Sequence, residues 1–187
     1  AKWLECVLKS VEYFTEKSAR LVAKGTPACL DQAGIDAQRA VVEDVLSSLA
    51  GQVYCDDDGA APDPVTGLDI PDKKQETIGE TEVAKVVLKA SLSAGKCYSK
   101  AASVVFKDGG TLDPSGAAKI QACLDRVALK AVAAIADLEQ QQKLPTCLPA
   151  PVAEGAANQA VALATMSTAA IYCSSPSGAF LDGVAPL

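Results

Sequence analysis

The chain has 187 residues, 49% of them hydrophobic and 21% charged, which is a globular composition long enough to bury a core in one domain or two small ones. Its formal net charge of −6 argues against nucleic acid and anionic membrane surfaces as partners, because both need a basic face. The complete absence of histidine removes Ser-His-Asp and Cys-His catalysis and the commonest general base near neutral pH.

Residues 2–24 place Leu4, Val7, Leu8, Val11, Phe14, Leu21 and Val22 on one helical stripe, which Gly25 and Pro27 stop. Residues 36–54 repeat the pattern, with Val41, Val45, Leu46, Leu49 and Val53 as the stripe and Asp36 as the expected N-cap. Residues 56–76, from Asp56-Asp57-Asp58-Gly59 through Pro62, Pro64, Gly67 and Pro71, read as an acidic loop and a linker. Thr77-Ile78-Gly79-Glu80 has the form of a capping box and predicts a helix to about Phe106, which Gly109-Gly110 break. Asp113-Pro114 reads as an N-cap with Pro in the first turn, opening a helix to about Gln142 with Ile120, Leu124, Val127, Ala131 and Leu138 on its stripe. The run Leu144–Pro151 is a loop, a last helix covers about Val152 to Tyr172, and the tail from Ser174 is irregular.

No stretch alternates with period two for long, so the expected class is all-α, with about five helices. Aromatics are 4% of residues, which leaves the core to Ala, Val, Leu and Ile and favours closely packed helices. Trp3, Tyr13 and Tyr98 read as core aromatics rather than ligand platforms.

Seven cysteines punctuate this pattern. Cys6, Cys29 and Cys55 are spaced almost as Cys123, Cys147 and Cys173 are, and the flanks Pro27-Ala28-Cys29-Leu30 and Pro145-Thr146-Cys147-Leu148 correspond. No Cys-x-x-Cys pair is present, so thioredoxin-like redox chemistry, zinc knuckles and haem attachment lack their spacing. A disulfide framework in an oxidising compartment is the expected reading, in a secreted protein whose leader has been removed. Two residues face each other across an antiparallel helix pair only when equally far from its turn. Cys6 with Cys55 and Cys123 with Cys173 meet that condition, with Cys29, Cys97 and Cys147 supplying one further bridge. Cys97 with Cys123, about the Gly109-Gly110 turn, meets it equally well. The pattern implies two related disulfide-stapled antiparallel hairpins plus one extra helix in a bundle: residues 1–55, a linker over 56–76, and a three-helix unit with an irregular tail over 77–187.

Chemistry-bearing clusters are few. Glu43-Asp44 and Asp137 with Glu139 sit on the polar faces of amphipathic helices, where solvation accounts for them, and no glycine-rich phosphate loop exists. Asp56, Asp58 and Asp63 are the candidate calcium ligands, although Tyr54 stands where the first ligand of a true loop belongs. Gly155 to Leu181 carries no charge, yet Asn158, Gln159 and its serines and threonines exclude a membrane span. Its small-residue face (Ala157, Leu163, Ala164, Thr168 and Ile171) is the candidate interface with another subunit or an apolar ligand.

Lys96-Cys97-Tyr98-Ser99-Lys100-Ala101, Ala122-Cys123-Leu124 and Thr146-Cys147-Leu148 together resemble a group of uncharacterised secreted bacterial proteins with Lys-Cys-x-x-Lys-Ala and Ala-Cys-Leu elements in helical hairpins. The resemblance covers about 60 residues and implies export, helices and cysteine staples, with no activity attached. The expected function is therefore a non-catalytic structural or interaction module without a cofactor, a subunit of an extracellular or periplasmic assembly held to itself or to other proteins. A small helical carrier binding an apolar ligand or lipid between its helices is the alternative.

Overall fold

The structure, a computed structural model, describes residues 2–25, 31–37, 39–40, 43, 53–54, 74–107 and 114–171. It is all-helical, with no strand among the described residues. The helices are α1 (Lys2–Ala23), α2 (described at 32–37, 39, 40, 43 and 53), α3 (Lys74–Lys107), α4 (Pro114–Gln140) and α5 (Ala150–Ile171). The last three pack against one another in every pairing and form a three-helix bundle.

Two helix starts differ from the sequence reading. The N-cap of α2 is Asp31, not Asp36: its Oδ1 accepts the Gly34 amide at 2.8 Å and its carbonyl accepts the Ile35 amide at 3.0 Å. A carboxylate three residues before an otherwise unsatisfied N–H is what a helix start needs, so Gly34 is held inside the helix rather than in a loop. Asp36 sits within the helix, where it accepts Gln32 Nε2 at 3.1 Å. α3 begins at Lys74, three residues ahead of the expected capping box. Thr77 and Glu80 are thereby interior, and the Thr81 hydroxyl donates back to the Thr77 carbonyl at 2.7 Å.

α4 ends in a Schellman motif. Lys143 N–H donates to the Leu138 carbonyl at 2.9 Å, Gln142 N–H donates to Glu139 at 2.9 Å, and Gln142 takes the left-handed conformation at φ 53°. A residue with a Cβ there is strained. Gln142→Gly is therefore expected to stabilise the protein by about 1 kcal/mol, read as a rise in the urea midpoint. After a turn in which Leu148 N–H meets the Pro145 carbonyl at 3.0 Å, Pro149 receives the first amides of α5.

The chain reversal makes α4 antiparallel to α3 and α5 parallel to it. Two contacts display this arrangement: Gly79 near the start of α3 lies against Lys143 and Pro145 beyond the end of α4, and Tyr98 lies beside Thr165 of α5. Val83, Leu124, Ile135, Leu148 and Val161 are fully buried between the three helices. α5 contributes Ala153, Ala156, Ala157 and Ala160, whose short side chains let its axis come close. Val53 and Tyr54 pack onto the same core.

Tyr98 is a core aromatic, 1% exposed. Burial pushes its phenol above the ordinary 10.0, and the neighbouring Thr165 side chain offsets part of that. The unfolded chain thus loses this proton first as the pH climbs. The contribution to stability is fully present below pH 10.0 and is lost as pH rises through the folded value. Urea midpoints should fall on the alkaline side of pH 10.0, and Tyr98→Phe should flatten part of that fall. Tyr13, by contrast, is not core: it is 63% exposed, with the Lys17 ammonium 5.1 Å from its ring centroid. It lies two residues beyond Val11, which turns it to the opposite side of α1.

α1 carries exposed Glu5–Lys9 and Glu16–Arg20 pairs, each worth about 0.3–0.5 kcal/mol. Its buried contact is polar: Ser18 accepts Gln32 Nε2 at 3.2 Å while donating to the Thr15 carbonyl at 3.0 Å. Among the described residues α1 shares no close contact with α3, α4 or α5.

Candidate functional site: a cationic groove between α3 and α4

The cysteines decide how α3 and α4 sit. Cys97 bonds Cys123 with a Cα–Cα distance of 5.9 Å, so Cys123 does not bond Cys173, and the pairing about the Gly109-Gly110 turn stands in its place. Distance from the turn does not separate the two partners; the face of α4 does, because Cys123 lies with Cys97 on a groove lined by α3 and α4 residues and by none of α5. Cys147 is also disulfide-bonded, to a cysteine whose side chain lies outside the described residues. Cys6, Cys29, Cys55 and Cys173 lie outside the described side chains.

On the side of this pair that faces away from α5 runs an open groove of about 630 Å³. Its floor is small and apolar: Val86 and Ala90 from α3, Val127, Ala131, Ala134 and Leu138 from α4, and the Cys97–Cys123 bridge between them. Its walls are basic. Lys85, Lys89, Lys96 and Lys100 rise from α3, and Arg126 and Lys130 from α4, all exposed to solvent. Six of the chain's 17 Lys and Arg side chains thus gather on one groove of a molecule whose net charge is −6.

Acidic groups are confined to one end, where Glu82 and Asp137 lie. Lys85 is tied to Glu82 at 2.6 Å, which leaves five cations that make no ion pair with another described residue. The Lys85 hydrogen bond and charge, assisted by Lys143, hold the Glu82 carboxyl below its ordinary 4.5. A carboxylate so placed stays ionised at neutral pH and is no proton donor there.

The other candidates fall elsewhere. Ala157 is fully buried in the bundle core, and Leu163 and Ala164 are partly buried against it, so this part of the uncharged stretch faces inward. Thr168 and Ile171 belong to α5, but their side chains lie outside the described residues. Asp56, Asp58 and Asp63 lie outside the described residues as well, and no metal-binding cluster occurs among the described ones. Glu43 and Asp137 are exposed, and Asp137 belongs to the acidic end of the groove. Glu80, expected to cap α3, is a fully buried carboxylate within it. No described helix is long and apolar enough to cross a membrane.

The groove was missed from sequence because each of its cations sits on the polar face of its own helix. The usable signal was the spacing of Lys85, Lys89, Lys96 and Lys100, all on one side of α3, matched by Arg126 and Lys130 flanking the stripe of α4. In comparisons with known proteins, no family model matches the chain, and neither a curated protein nor a solved structure proves similar to it.

Proposed function

We propose that this chain is a non-catalytic interaction module of a secreted assembly, and that the groove between α3 and α4 is the surface through which it holds an acidic partner. One observation carries this reading: five cations that pair with no other described residue surround an apolar floor in a chain of net charge −6. Like charges gathered around a shared groove repel one another, and an anionic partner relieves that repulsion while covering the floor. Disulfide bonding suits an exported protein, as does the resemblance to secreted cysteine-stapled hairpin proteins. The absence of histidine speaks for binding rather than catalysis.

The test uses poly-L-glutamate as the anionic probe at low ionic strength. Lys89→Glu combined with Lys130→Glu should weaken its binding by about tenfold or more, whereas Lys9→Glu with Lys24→Glu, an equal change of charge on α1 and the turn that follows it, should leave most of it. Equal losses in the two variants would show that net charge and not the groove governs binding. The assembly part of the reading expects the purified native protein to run larger than 19.1 kDa or with a partner, and a strictly monomeric species without one counts against it.

The carrier alternative is supported by the apolar floor of the same groove. The groove is the described opening with an apolar floor, so a carried ligand would lie along it.

A further inference from the structure

We infer that the occupant of the groove is an acidic amphipathic helix of a partner protein, laid along α3 and α4 as a fourth helix; this rests on the groove being the recognition surface proposed above. The layout of side chains is that of a helix seam lacking its third member. The inner rows are small and apolar (Ala90 and Val86 on α3, Ala131 and Ala134 on α4), and the outer rows carry the cations. Small residues on the floor let a helix axis settle at about 8–10 Å from its neighbours, and cations on both rims meet carboxylates that flank an apolar stripe.

Dimensions agree with this occupant. From Glu82 to Lys100 the groove runs about 27 Å at 1.5 Å per residue, the length of a helix of about 18 residues. A volume of about 630 Å³ spread over that length seats one face of a helix and leaves the other face in solvent.

Competing occupants match less of the surface. An extended acidic strand finds no sheet edge to pair with, and its alternating side chains cover the floor with only every second residue. A single-chain carboxylate covers the floor but brings charge to one end alone, whereas Lys89, Lys96, Lys100, Arg126 and Lys130 flank the groove over most of its length. The charge pattern also specifies the partner helix. It is acidic over the stretch beside the disulfide and neutral or basic where it passes Glu82 and Asp137.

The experiment titrates the full chain with three labelled synthetic peptides: one with a Leu/Ala face flanked by Glu, one with the same composition in scrambled order, and one with Lys in place of Glu. Poly-L-glutamate and sodium oleate serve as competitors. The patterned acidic peptide should bind about tenfold or more tighter than the scrambled one and should gain helical circular dichroism on binding, and the Lys peptide should not bind. Ala134→Tyr, which raises the floor beside a partly exposed position, should weaken the patterned peptide by about tenfold, with helicity checked on the free variant.

Equal binding of patterned and scrambled peptides overturns the helix assignment, and so does stronger binding by oleate than by any peptide. Binding of poly-L-glutamate without binding of the patterned peptide removes the helix but keeps the groove as an anion-recognition surface. Failure of every anionic probe removes both.

Discussion

Replacing Cys97 and Cys123 together by alanine is expected to lower the unfolding free energy by about 3.5 kcal/mol, the chain-entropy value for opening a loop with this separation of 26 residues. The bridge restrains the unfolded chain over the whole connection between α3 and α4, and it also forms part of the groove floor. Two readouts should therefore move together: the urea midpoint falls, and binding of an anionic probe to the groove weakens because α3 and α4 lose their fixed separation. Apart from the two sulfurs, of which that of Cys97 lies in the core, the buried apolar surface of the bundle is kept, so the variant should retain its helical circular dichroism in the absence of denaturant. A midpoint that does not move would mean the native bundle holds this pair together equally well without the bond, and would remove the disulfide from the account of stability.

Gly79→Ala is expected to destabilise by about 2–3 kcal/mol, although the same change in an open helix position is favourable. A Cβ at Gly79 would overlap the Lys143 carbonyl oxygen and lie 2.9 Å from Pro145 Cδ. Both atoms belong to a turn fixed by the Schellman closure of α4 and by the Pro145–Leu148 hydrogen bond, so neither rotates away as a flexible side-chain tip would. Gly95 supplies the internal control. Nothing lies within 4 Å of a Cβ there, and Gly95→Ala should stabilise by about 0.4–1 kcal/mol. Opposite signs for two glycines in one helix, measured by urea unfolding, would establish that α3 docks on the α4–α5 turn as described. The same sign for both would place that turn elsewhere.

Much of the architecture follows from patterns that a single helix displays by itself. The apolar stripes of α1 and α4 are readable at helical spacing, and Pro114 and Gly25 mark their boundaries where the structure has them. Start signals were less readable because they are degenerate: Asp31 and Asp36 both have cap chemistry, and only the placement of the Gly34 amide separates them. Thr77 and Glu80 satisfy the spacing of a capping box inside a helix that had already begun at Lys74. The uncharged stretch of α5 suggested an interface, yet Ala157 turns toward the core because three helices must bury one another and alanine is the residue that lets them approach.

The groove was the least readable feature, for a reason tied to pairing. Lys89 and Lys96 look solvated on α3, as Arg126 and Lys130 do on α4, until the two helices are set side by side. Which helices pair was itself the open question, since Cys123 had two geometrically equivalent partners in sequence. Once Cys97 is the partner, the two basic rows face a common floor. A site made from the polar faces of two helices is thus invisible to any reading that takes the helices one at a time.

The central claim is that the groove between α3 and α4 recognises an acidic partner. An amide-resolved NMR titration with the patterned acidic peptide tests it most directly. The account predicts shift changes concentrated in residues 82–100 and 123–138, and their loss when Lys89 and Lys130 are both replaced by glutamate. Changes centred instead on α1 or on the outer face of α5, or a pattern indifferent to those two replacements, would contradict it.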